Sequence, residues 1–64
     1  MNILVVGLGL IGGSICKALK KYTYHTVTGC DINHDIEENA LRDIAIDNIF
    51  DGNYNDFDLI VISL

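Results

Sequence analysis

The sequence contains no proline, only two cysteines, and four basic residues against nine acidic ones in 64 positions. Each shortage removes a class of explanation. Without proline, internal repeats or low-complexity tracts, nothing marks an interdomain linker. Two cysteines are too few for a disulfide framework. Cys16 and Cys30 fall in segments that read as helix and strand, where free thiols behave as small apolar side chains in a reduced, cytoplasmic protein. A formal net charge of −5 and a pI near 4.5 argue against nucleic acid or an anionic membrane as partner, since both require a basic face. No apolar run approaches the ~20 residues of a membrane span. The apolar stretch from Ile3 to Gly13 has no basic segment before it, so it does not read as a signal peptide. No cluster of Cys, His, Asp or Glu has metal-ligand spacing.

What remains is half hydrophobic and one-fifth charged, the balance of a globular chain. At this length a chain buries only about 60% of its unfolded surface and is marginal alone. The reading is therefore of an N-terminal piece of a longer protein.

Ile3-Leu4-Val5-Val6 is a short apolar run ending at a glycine, as expected of a parallel strand buried on both faces. Ile11, Ile15, Ala18 and Leu19 then recur at helical spacing, with Lys17, Lys20 and Lys21 at the negative end of the helix dipole. The helix is expected to end near Lys20-Lys21. Thr26 to Asp31 reads as a second strand, in which Gly29 is unfavourable unless something approaches it closely. Asn33 suits an N-cap for a second helix, with Ile36, Ala40, Leu41 and Ile44 as its apolar face. Ile46 to Phe50 reads as a weak third strand, Asp51 to Asn55 as a turn, and Asp58 to Ser63 as a fourth strand, again apolar throughout. The expected architecture is α/β, a parallel sheet in β-α-β-α-β-β order, with strands arranged 3-2-1-4.

The turn between the first strand and first helix is Gly7-Leu8-Gly9-Leu10-Ile11-Gly12. A bare G-x-G-x-x-G says little, but this one follows a strand, opens a helix, and precedes an acid at the end of the next strand. That context is the dinucleotide-binding fingerprint of the Rossmann fold. Gly7 permits the tight turn, Gly9 lets backbone approach a pyrophosphate, and Gly12 lets the helix pack against the sheet. The helix N-terminus, at Leu10, Ile11 and Gly12, offers unpaired amides to the phosphates. No Lys or Arg precedes Lys17, so an anion here must be held by backbone and helix dipole. The triphosphate loop G-x-x-x-x-G-K-[ST] is nearly matched by Gly7, Gly12 and Ser14. Gly13 stands where its lysine is required, which argues against triphosphate hydrolysis.

Asp31, 19 residues after Gly12, is placed to accept hydrogen bonds from the adenosine ribose hydroxyls and to repel a 2′-phosphate. No Arg or Lys lies between it and Arg42 to receive one, so NAD is expected over NADP. Asn33, just past that acid, and Ser63 and Leu64, at the carboxyl end of the fourth strand, complete the candidate cofactor-binding set. Ser14, in the first helical turn, could bond a phosphate oxygen but has no local base. His25 reads as a loop histidine and His34 as a solvated first-turn residue. Tyr22, Tyr24, Tyr54 and Phe57 read as packing.

Gly7-Leu8-Gly9-Leu10-Ile11-Gly12-Gly13-Ser14, followed by an apolar helix to Lys20, resembles the start of prephenate and arogenate dehydrogenases. Val27-Thr28-Gly29-Cys30-Asp31-Ile32-Asn33 is similar to that family's V-x-G-x-D-x-N segment, and Asp58 to Ser63 to its fourth strand. The chain departs from the pattern at Ile44 to Asp47, where the family often has a glycine. The resemblance implies NAD-dependent oxidative decarboxylation of prephenate in tyrosine biosynthesis, or the related reaction on arogenate. It also implies a downstream helical domain for substrate and homodimer formation. The family's catalytic histidine and substrate-binding arginines lie beyond this segment, so no catalytic residue is assigned. A related β-hydroxyacid-type dehydrogenase and a non-catalytic NAD-sensing module are the alternatives.

Overall fold

A computed structural model describes residues 1–64. Four strands, β1 (Asn2–Val6), β2 (Thr26–Cys30), β3 (Asn48–Ile49) and β4 (Leu59–Ile62), form one all-parallel sheet in the order β3-β2-β1-β4. Helices α1 (Leu10–Tyr22) and α2 (His34–Arg42) connect β1 to β2 and β2 to β3. This is the expected Rossmann-type arrangement. The strand order reverses direction at β1, between β2 on one side and β4 on the other. No helix is long and apolar enough to cross a membrane.

The alternation of strand residues sorts the two faces. Ile3 and Val5 of β1 and Val27 of β2 join Leu8, Cys16, Ala45 and Ile46 in the main core, which Leu19, Ile36 and Ala40 of the helices cover. Both helices pack on this face, as right-handed crossovers running in one direction along a parallel sheet require. The return connection to β4 carries a single 3-10 turn at Tyr54–Asp56 and lies toward the opposite face, where Phe50 and Phe57 share a recess with Thr26 and Thr28. Rings of Phe50, Tyr54 and Phe57 pack there, with centroids 4.7 and 6.0 Å apart. Tyr22 and Tyr24, by contrast, are exposed and pack little. Gly29 has the close neighbours its presence in a strand demands. A Cβ there would lie 2.9 Å from both Ile46 Cγ2 and Leu8 Cδ1.

Several local expectations need correction. The fully buried residues of α1 are Gly12 and Cys16; of the expected stripe, Ile15 and Leu19 are half-buried, whereas Ile11, 70% exposed, and Ala18 face outward. Close approach of the helix to the glycine turn seats the smallest residue, Gly12, inward and turns Ile11 out. The third strand is regular only over Asn48–Ile49. At Asp47 only half of the pairing is backbone: its N–H donates to the Val27 carbonyl at 2.7 Å, but the Val27 N–H goes to the Asp47 Oδ2 at 2.7 Å, while Lys20 Nζ caps both carboxylate oxygens at 2.7 and 2.8 Å. Burial acts to raise the Asp47 pKa, but Lys20 and the Val27 amide outweigh it and hold the carboxyl below its ordinary value. Strand β4 is not buried on both faces: as the sheet edge it leaves Leu59, Ile60 and Ile62 exposed.

The apolar face of α2 is Ile36 and Ala40; Leu41 is exposed, and Ile44 lies beyond the helix. The helix stops at Arg42, and Ile44 takes a left-handed conformation at φ 59°. The Ala45 N–H donates to the Ala40 carbonyl and the Ile44 N–H to the Leu41 carbonyl, the paired bonds of a Schellman cap. Glycine normally fills this position, and a β-branched residue there is strained by roughly 1–2 kcal/mol. Ile44 is also 71% exposed, so removing its side chain sacrifices little burial. Ile44→Gly is therefore expected to stabilise the protein by about 0.5–1 kcal/mol, net of glycine's greater unfolded-state entropy. A denaturant midpoint that fell would refute this account of the cap.

Candidate functional site

The glycine turn lies where the strand order reverses, outside the carboxyl ends of β1 and β4, the place where open α/β sheets bind ligands. Two adjoining hollows of about 470 and 260 Å³ share Gly9, Ser63 and Leu64 and form one cleft across these strand ends. The larger is lined by Gly7, Asp31 and Ile32 on the β2 side. The smaller is lined by Leu10, Ile11 and Gly12 at the start of α1. The structure thus gathers eight of the nine sequence-derived cofactor residues around one opening. Asn33 is the exception. Its Oδ1 accepts the Asp35 N–H at 3.0 Å as the N-cap of α2, outside the cleft.

The three motif glycines have different reasons to be glycine. Gly7 has φ +93°, and a Cβ on it would overlap the Ser63 carbonyl oxygen. A Cβ on Gly12 would overlap the Gly7 carbonyl oxygen. Both are demanded by the protein's own packing. Gly9, in extended conformation at φ −68° and ψ −158°, has no atom within 4 Å of where its Cβ would stand. Nothing in the chain itself explains the lack of a side chain there.

Electrostatically, the turn presents bare donors. The first helical bond runs from the Gly13 N–H to the Gly9 carbonyl at 2.8 Å, so the amides of Leu10, Ile11 and Gly12 find no acceptor in the protein. The N-cap has no side-chain bond and the first turn carries no acid. Unpaired amides and the positive end of the dipole make this an anion-accepting edge. Ser14 adds nothing to it. It lies in the second turn, and its hydroxyl donates to the Leu10 carbonyl at 2.7 Å.

Asp31 is tied to the turn across 23 residues of sequence. Its Oδ2 accepts the Leu8 N–H at 2.8 Å, and its Oδ1 accepts the Asn33 N–H at 2.9 Å. These amides, Asn33 first and Leu8 second, hold its carboxyl below the ordinary value. The group is therefore ionised at neutral pH. Each carboxylate oxygen can accept more than one hydrogen bond, so both retain capacity toward a hydroxyl in the cleft. Sequence reasoning missed Leu8 as the partner of Asp31, because no local pattern signals a contact between two strand ends. It also missed Ile32, which lines the cleft beside Asp31 and is wholly exposed. An apolar residue directly after a strand-terminal acid was the available signal.

Other candidates are structural. His25 Nδ1 lies 2.8 Å from the N-terminal amine. Cys16 is buried and its thiol is pushed up to about 11 by desolvation. Cys30, partly buried, is also raised, first by desolvation and then by Glu37 and Asp31, so neither thiol is set up as a nucleophile. No group of three or more His, Cys, Asp or Glu side chains is arranged to hold a metal. The chain matches no protein-family model and no curated protein.

Proposed function

We propose that this chain binds NAD across the cleft, as the cofactor-binding segment of a dehydrogenase of the prephenate and arogenate class. The observation that carries the cofactor assignment is the open space at Gly9 beside three unpaired amides. A pyrophosphate placed there would meet backbone donors at close range, and any side chain at Gly9 would obstruct it. Asp31 would receive the adenosine ribose, with Ile32 offering an apolar edge beside it. Bound NAD would supply the hydride acceptor; the protein's part is to hold and orient it.

The dehydrogenase class rests on the resemblance of Gly7 to Ser14 and of Val27 to Asn33 to that family. On this reading the substrate-binding groups and a helical dimerisation domain lie in further sequence, and the homodimeric enzyme works in the cytoplasm on prephenate or arogenate.

Two measurements test it. Calorimetric titration of the full-length protein is expected to show NAD binding at least about tenfold tighter than NADP, because a 2′-phosphate would face the Asp31 carboxylate. Equal or tighter NADP binding would overturn the assignment of Asp31. NADH formation with prephenate or arogenate tests the class, and its absence with both would leave the protein an NAD-binding module of another kind.

A further inference from the structure

Glu37 is the one acid of α2 turned inward. Asp35 and Glu38 on the same helix are exposed, whereas Glu37 is only 9% exposed. Burying a carboxylate is costly unless it is hydrogen-bonded, so its partners indicate what it does. There are two. Its Oε2 accepts the Asp31 N–H at 3.1 Å, and its Oε1 lies 3.0 Å from His34 Nδ1. Glu37 does not itself line the cleft.

The Asp31 amide falls just beyond the end of β2 and is not part of its ladder. Without Glu37 it would have no acceptor, and the bend from Asp31 to Asn33 would be held only through the Asp31 carboxylate. That bend sets the direction of the Asp31 carboxylate, which in turn holds the Leu8 N–H. A relay therefore runs from Glu37 through the backbone of Asp31 to the glycine turn. Glu37 also shares His34 with Glu38, whose Oε1 is 3.1 Å from the histidine Nε2. Both ring nitrogens face carboxylates, so a phosphate would have to compete with Glu37 and Glu38 for His34.

We propose that Glu37 is a positioning residue for cofactor discrimination: it fixes the backbone of Asp31 so that the carboxylate meets the adenosine ribose, and it competes with a 2′-phosphate for His34. This rests on the cofactor reading above. Glutamine at 37 would preserve the device, since its carbonyl oxygen can still accept the Asp31 N–H while its amide donates to a neutral His34 Nδ1.

The test uses the full-length protein with Glu37→Ala and Glu37→Gln. Two quantities are read: calorimetric affinities for NAD and NADP, and exchange of the Asp31 amide by NMR without ligand. For E37A, Asp31 exchange is expected to quicken and NAD binding to weaken about tenfold, roughly one hydrogen bond to a charged group. NADP affinity should hold or rise, so that discrimination narrows. E37Q should remain near wild type in both. If E37A does not fold, Glu37→Asp keeps the charge but withdraws the oxygens, and carries the same expectation. Equal losses for both cofactors, or an unchanged ratio, would overturn the proposal by reducing Glu37 to a structural role. A wild-type protein that protects the Asp31 amide yet binds no NAD would overturn the cofactor reading instead, leaving the hydrogen bond standing.

Discussion

Replacing Gly9 with valine is expected to abolish measurable NAD binding while leaving the folded protein intact. The conformation at Gly9 is extended and open to any L-residue, and no protein atom lies within 4 Å of the Cβ position. Valine therefore costs the fold little. It does place methyl groups beside the free amides of Leu10, Ile11 and Gly12, where a pyrophosphate would need to approach. We expect a loss of at least about 100-fold in calorimetric affinity, or roughly 2.8 kcal/mol, with an unchanged thermal midpoint. Wild-type affinity in Gly9→Val would remove the pyrophosphate from this turn.

Gly12→Ala should do the reverse, injuring the fold before any ligand is considered. The added Cβ would overlap the carbonyl oxygen of Gly7. That oxygen belongs to backbone, in a turn already committed to a positive φ at Gly7. It cannot swing aside as a flexible side chain would. Either α1 lifts from the sheet, uncovering Cys16 and its neighbours, or the turn deforms and loses contact with Ser63. Overpacking against rigid atoms typically costs 1–3 kcal/mol and occasionally more, and we expect about 3 kcal/mol here. Against the 5–15 kcal/mol of an ordinary domain, that is a large fall in denaturant midpoint. An unchanged midpoint would mean that helix and turn are not in the close contact described. The pair separates two positions in one motif: Gly12, empty because the chain's own packing requires it, and Gly9, which that packing does not require to be empty and which we propose is left open for a ligand.

Much of this was legible in the sequence because the relevant signals are local. The apolar runs at Ile3 to Val6 and Leu59 to Ile62, the glycine turn, the Asn33 cap and the acid at Asp31 each announce themselves within a few residues. Gly29 was legible as a close approach, though not what approaches it. The failures share a cause. The motif read Gly12 correctly as the point of helix–sheet contact, but hydrophobic counting still placed Ile11 on the same buried face. Such counting also ran the apolar face of α2 too far, through Leu41 to Ile44, because the usual glycine stop signal is absent there. Glu37 is one of three acids in α2, with Asp35 and Glu38, and nothing local singles it out, since only the folded chain brings it under the Asp31 amide. The bond from Asp31 to Leu8 joins the ends of two strands and has no sequence signature.

That last bond constrains how the protein could be re-engineered. The obvious route to an NADP-dependent variant is to replace Asp31 with a small neutral residue and add a nearby cation. Here the same carboxylate also anchors the Leu8 amide, at the shoulder of the turn assigned to the pyrophosphate. Removing it would free the new phosphate from repulsion and unfasten the turn at the same stroke. On the proposed NAD-binding reading, cofactor preference and overall cofactor affinity would be linked mechanically through one side chain. A successful switch would have to replace the lost acceptor for Leu8 before it gained anything from the added charge.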